Sequence, residues 1–182
     1  MLAILASGNG TNAQATVEYF RERGEDPPFV IFSDRREAGV WARAERLGVP
    51  IHHVPDPDDD RWWNERLDGA RLVFLAGYLK KLPAPVVHRH FAVNLHPSLL
   101  PKFGGKGMYG LHVHRAVLAA GEKQTGITLH RVSENYDEGP ILFQASLPVP
   151  EGAAPETLAA AVQELERRIV PQWIWELYHR QA

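Results

Sequence analysis

Cysteine is missing from this sequence altogether. Its absence excludes disulfides, thiolate metal ligands and thiolate nucleophiles, and it fits a reducing compartment such as the cytoplasm. Charge of one sign is missing too: 20 lysines and arginines stand against 22 aspartates and glutamates, a formal −2 with histidines neutral. No basic stripe marks the chain for nucleic acid. No apolar run approaches the length that spans a bilayer. The opening MLAILASGNG lacks the basic start and the long apolar stretch of a signal peptide. No nucleic acid and no membrane is therefore expected as a partner. What is there is 182 residues of ordinary globular composition. That length suits one domain over 1–182, with 1–96 and 97–182 as its halves.

The first half alternates short apolar runs with helical patterns. LAILA (2–6), FVIF (29–32), IHHV (51–54), RLVFLAGY (71–78) and FAVNLH (91–96) read as strands. Between them, 12–23 and 36–47 read as helices, each followed by a glycine, and a shorter helix carries Trp62, Trp63 and Leu67. This order predicts an α/β fold: a Rossmann-like, mostly parallel sheet with helices on both faces. The second half departs from it. Residues 97–111, PSLLPKFGGKGMYGL, form a glycine-rich loop, and 112–120 a helix. GITLHRV (126–132) and ILFQASLPV (141–149) predict an antiparallel strand pair around the turn SENYDEGP. A long helix opens at Pro155, with Leu158, Val162, Leu165 and Ile169 inward, and Pro171 is expected to kink or end it.

Two places carry chemistry. SGNGTNAQ (7–14) joins the first strand to a helix, so glycines and unpaired helix N–H groups meet there, a favourable place for an anion. Gly8, Gly10 and Ala13 also satisfy the loose dinucleotide pattern G-x-G-x-x-A, with Asp34 after the second strand. An NAD(P)-dependent oxidoreductase is therefore a rival reading, although the short polar chains of Asn9, Thr11 and Asn12 suit one terminal phosphate better. The second place is NLHPSLLP (94–101). Asn94 and His96 stand two apart at a strand's carboxyl end and so share a face. An amide can donate to an oxyanion, and an imidazole carries a proton near neutral pH. An acid should orient the imidazole; Asp137 in NYDEGP is the best candidate, with Glu134 and Glu138 behind it.

Taken together, NLHPSLLPKF, SGNGTN, VFLAGYLKKL and SENYDEGPILFQ resemble the folate-dependent formyltransferases, and among them the glycinamide ribonucleotide transformylase family. The four motifs occur in the family's order and span nearly the whole chain. The resemblance implies formyl transfer from 10-formyltetrahydrofolate, a co-substrate, to the amine of glycinamide ribonucleotide in purine biosynthesis, without a metal, by a cytoplasmic monomer or homodimer. It implies catalytic roles for Asn94, His96 and Asp137. It implies a phosphate loop at Gly10, Thr11 and Asn12, and further acceptor contacts at Gln163 and Glu166, three apart on the late helix. The folate would meet Leu79, Lys80, Lys81, Leu82, Asn94, Ser133, Glu134, Asn135, Tyr136 and Asp137, with Arg61 near its tail.

In that scheme Asn94 and a protonated His96 stabilise the oxyanion, and Asp137 raises the pKa of His96. The loop KFGGKGMYGLHVH is longer than in short-loop members, and Lys80–Lys81 stands where one basic residue is usual. Related enzymes acting on methionyl-tRNA, or hydrolysing formyltetrahydrofolate, would carry a further domain for which this chain is expected to have no room. A phosphosugar-binding protein without catalysis would need no Asn94, His96 and Asp137 cluster. His112 and His114 form an H-x-H pair without a third ligand at usual spacing, so a loop-to-helix junction is expected there. His52 and His53 alternate in face, and Trp62, Trp63, Trp173 and Trp175 are expected to be packing.

Overall fold

A computed structural model describes residues 1–181. Seven strands form one sheet: β1 (Leu2–Leu5), β2 (Phe29–Ser33), β3 (Ile51–His53), β4 (Leu72–Leu75), β5 (Ala92–His96), β6 (Gln124–Arg131) and β7 (Ile141–Pro148). Their spatial order is β3-β2-β1-β4-β5-β6-β7, with β1 to β5 parallel and β6 and β7 antiparallel. The expected α/β class and the antiparallel extension are both found. The chain leaves β1 toward β2 and β3, then crosses back to β4 on β1's other side. Such a reversal opens a crevice at the carboxyl ends of the strands.

Side-chain alternation explains why the central strands are apolar throughout. Leu2, Ile4 and Ala6 enter one core with Val17 and Phe20 of α1 (Thr11–Glu22), Val40 and Ala44 of α2 (Val40–Leu47), and Val162 and Ile174 of the long C-terminal helix. Ala3 and Leu5 enter the opposite core with Trp63 of α3 (Asp60–Arg66) and Val86 and Val87 of α4 (Ala84–Arg89). A strand covered on both faces has no polar side to show. Trp63 is fully buried, its ring edge-on to Phe32, Trp62 and Tyr78.

Two expectations about elements need correction, and one element was missed. α2 begins at Val40 rather than Arg36, because residues 35–39 make turns before it. α4 escaped the sequence reading: its six residues are too few to display a helical period. Expected to kink or end the C-terminal helix, Pro171 does not end it: α6 (Pro155–Arg180) runs through Pro171 for 26 residues. A mid-helix proline costs roughly 3 kcal/mol. Val170, Ile174, Leu177 and Tyr178, all buried on one side, offset that cost by about 1.5–3 kcal/mol each. The helix α5 (Leu111–Ala119) follows the glycine-rich loop as expected.

Candidate active site

The crevice is a cleft of about 670 Å³, a volume suited to small-molecule ligands. β5 brings Asn94 and His96 to its floor, and the turn after β6 brings Asp137 over them. Asp137 adopts a left-handed backbone, φ 57°. Its Oδ2 lies 3.5 Å from His96 Nδ1 and accepts the Gly105 N–H at 2.9 Å, while Oδ1 accepts from Asn94 Nδ2 at 3.4 Å. The three residues singled out from two distant motifs thus meet.

The sequence reading missed His130. Its Nε2 lies 3.1 Å from Asn94 Nδ2 and 3.3 Å from Asp137 Oδ1, and its Nδ1 donates to the Arg131 carbonyl at 2.9 Å. The antiparallel register sets His130 directly across from Asn94; the strand was legible, its register was not. A backbone group was missed as well. His96 Nε2 donates to the Phe103 carbonyl at 2.8 Å, which fixes the ring and leaves Nδ1, the nitrogen facing Asp137, to gain or lose the proton.

Electrostatics here run against one expectation. His96 is held below its ordinary pKa, first by burial; the Asp137 charge and the Phe103 carbonyl pull upward but do not prevail. Asp137 therefore raises His96 only relative to a site without it. For Asp137, burial alone would push the carboxyl up. The hydrogen bond with His130, the charge of His96 and the Gly105 N–H outweigh burial and hold it below the usual carboxylate range. His114, on α5 at the cleft wall, is also lowered by burial and by His96, and its Nδ1 has no partner among the described residues. Its neighbour in the H-x-H pair, His112, is exposed.

At the other end of the cleft, Asn12 Nδ2 donates to Glu166 Oε2 at 2.8 Å, and Gln163 lines the wall beside them. Burial pushes the Glu166 carboxyl up, against the Asn12 hydrogen bond and the Arg167 charge. Gly10 and Thr11 sit at the head of α1, where Gly10 has φ 73° and a Cβ on it would stand 2.5 Å from Val40 Cγ2; only glycine fits. Leu79, Tyr136 and Asp137 also line the large cleft, and beside it a small annex is lined by Lys80, Lys81, Leu82, Ser133 and Asn135 with Asn94. Besides Gly10 and Thr11 at the head of α1, two predicted residues line neither of these. Glu134 turns outward to His88 at 2.9 Å, and Arg61 is exposed on α3. Asp34, the acid needed by the dinucleotide reading, accepts the Ser7 hydroxyl at 2.6 Å instead of standing free. Trp173 stacks on Phe143, and Trp175 donates to Glu25 at 2.9 Å, both packing roles as expected.

A polar Asn, His and Asp cluster at the carboxyl ends of parallel strands, beside a glycine loop at a switch point, defines an α/β protein of the kind that works on small molecules. Known proteins narrow the class. The formyl transferase family pattern matches residues 1–174. Glycinamide ribonucleotide transformylase 1 from Symbiobacterium toebii is 38% identical, superposes with a TM-score of 0.83, and is matched over 94% of this chain and 84% of its own. The phosphoribosylglycinamide formyltransferase of Escherichia coli (strain K12) is 32% identical, over 93% of this chain and 83% of its own length. A chloroplastic phosphoribosylglycinamide formyltransferase of Arabidopsis thaliana is 36% identical over 92% of this chain. The chain spans 62% of that plant relative and 57% of the one from Vigna unguiculata. The chain belongs to the formyl transferase family.

Proposed function

We propose that this protein transfers the formyl group of 10-formyltetrahydrofolate to the amine of glycinamide ribonucleotide, releasing formylglycinamide ribonucleotide and tetrahydrofolate. The observation that carries this reading is the convergence of Asn94, His96 and Asp137 in one cleft with Asn12, Gln163 and Glu166 at its far end. The head of α1 takes the phosphate through the N–H groups of Gly10, Thr11 and Asn12. Gln163 and Glu166 contact the rest of the acceptor. The folate lies along Leu79–Leu82 and Ser133–Asp137, with Arg61 reached only by its tail.

The amine attacks the formyl carbon, its nitrogen becomes cationic and the carbonyl oxygen anionic. Asn94 donates to that oxygen. His96 starts neutral, as its burial favours, accepts the amine proton at Nδ1 and passes it to the leaving N10 nitrogen. Asp137 stabilises the transient imidazolium. The acceptor amine is itself the nucleophile, so the scheme needs no metal. One domain, working in the cytoplasm as a monomer or homodimer, is the setting proposed.

Incubation of the purified protein with 10-formyltetrahydrofolate, with and without glycinamide ribonucleotide, tests the proposal. Tetrahydrofolate release should depend on the acceptor, and formylglycinamide ribonucleotide should appear by mass spectrometry. Release at the same rate without the acceptor would instead mark a hydrolase.

A further inference from the structure

Arg43 lies outside the cleft, yet it reaches back to the glycine loop from the first turn of α2. Its Nε donates to the Asn9 carbonyl at 2.7 Å, and its Nη1 contacts the Gln14 side-chain oxygen. α2 is itself fastened to the loop, since the Val40 N–H donates to the Gly8 carbonyl at 3.1 Å. In a trans peptide the C=O and N–H point opposite ways. Aiming the Asn9 carbonyl at Arg43 therefore aims the Gly10 N–H away from α2. The same contact engages the carbonyl that the Ala13 N–H would take if the helix began one residue earlier. The N–H groups of Gly10, Thr11, Asn12 and Ala13, the first four of the helix, find no acceptor among the described residues. α1 has no side-chain cap to satisfy them.

We infer that Arg43 is a positioning residue for the acceptor's phosphate: it orients the Asn9–Gly10 peptide so that the N–H groups face the ligand, and it fixes a positive charge behind the loop. This rests on the reading of Gly10, Thr11 and Asn12 as the phosphate site. Arg43 touches neither substrate, and its effect belongs to binding rather than to the chemical step.

Steady-state kinetics of the wild type, Arg43→Ala and Arg43→Lys test it, with circular dichroism to establish folding. Loss of a charge-assisted hydrogen bond should raise KM for glycinamide ribonucleotide by about 10- to 100-fold in Arg43→Ala. The value of kcat and KM for 10-formyltetrahydrofolate should stay within about twofold. Lysine keeps the charge without the fork, so Arg43→Lys should recover part of the loss. Ribose 5-phosphate, titrated by calorimetry, should bind Arg43→Ala more weakly by a similar factor. An unchanged acceptor KM, or a parallel loss in kcat and both KM values, would overturn the role. Wild-type protein that turns over no glycinamide ribonucleotide would sink the functional reading alone. Ribose 5-phosphate binding would then still decide on Arg43, equal affinities of wild type and variant overturning it.

Discussion

A carboxylate 3.5 Å from a buried imidazole favours the protonated ring, and removing the carboxylate lowers that ring's pKa further. Asp137→Asn keeps the shape and removes the charge. Turnover should fall on the order of 10²-fold or more, the scale of acid–base and oxyanion groups. The limb of the kcat/KM profile that depends on His96 should move to lower pH, while acceptor affinity, measured by calorimetry, changes little. Near-normal turnover in the folded variant would put the acid elsewhere, and Glu134, paired with His88 on the surface, is poorly placed to serve. At this scale a shared strand face and a constrained turn offered Asn94, His96 and Asp137 as candidates, and the family resemblance singled them out. His130 was not, since nothing in HRV announces which residue of β5 it will face. Nor were the Phe103 carbonyl and the Gly105 N–H, because every residue has both groups and only the loop's path selects these two.

The loop between β5 and α5 is held firmly at its start and loosely beyond. Ser98 donates to the Lys102 carbonyl at 2.7 Å, the Leu100 N–H donates to Thr128 at 3.1 Å, and Gln144 donates to the Leu100 carbonyl at 3.0 Å. From Gly105 onward the support thins, and Gly105, Gly107 and Gly110 all take positive φ. Residues 105–111 form one wall of the cleft. A segment anchored at one end and glycine-rich at the other is suited to close over ligands. Amide exchange over 105–110 should slow when glycinamide ribonucleotide and a non-reactive folate analogue are bound together, and little with either alone; no slowing with both would count against closure. Gly107→Ala adds a Cβ in open space at φ 85°, so its penalty is conformational, roughly 1 kcal/mol or more. Element boundaries were legible where caps are local, as at Pro155 and Gly121. They failed where tertiary packing decides, as in the passage of α6 through Pro171.

Across the whole molecule, three histidines are buried in a way that resists protonation. His90, His96 and His114 are each held below the ordinary value of 6.5, with burial the leading cause in all three. Unfolding returns them to that value, so between pH 6.5 and their folded values the unfolded chain binds more protons than the folded one. Stability from this source is whole above about pH 6.5 and drains away as the pH falls. Asp137 acts in the same direction only lower, below its ordinary 3.8. Glu166 acts in the opposite direction: its raised pKa adds stability below 4.5 that is lost as the pH climbs through its folded value. The Met1 amino group, lowered from 8.0 by burial and the Arg71 charge, adds to the same slope, so four groups against one decide it on the neutral side. The midpoint of thermal unfolding should fall by a few degrees from pH 7.5 to 5.5 at constant ionic strength, each kcal/mol being worth about 2–4 °C in a chain of this size. His114→Leu should flatten the dependence, because its Nδ1 has no partner to lose. A midpoint that holds steady or rises over that interval would mean that these imidazoles gain protonated partners in the folded chain, and the neutral resting state assigned to His96 would fall with it.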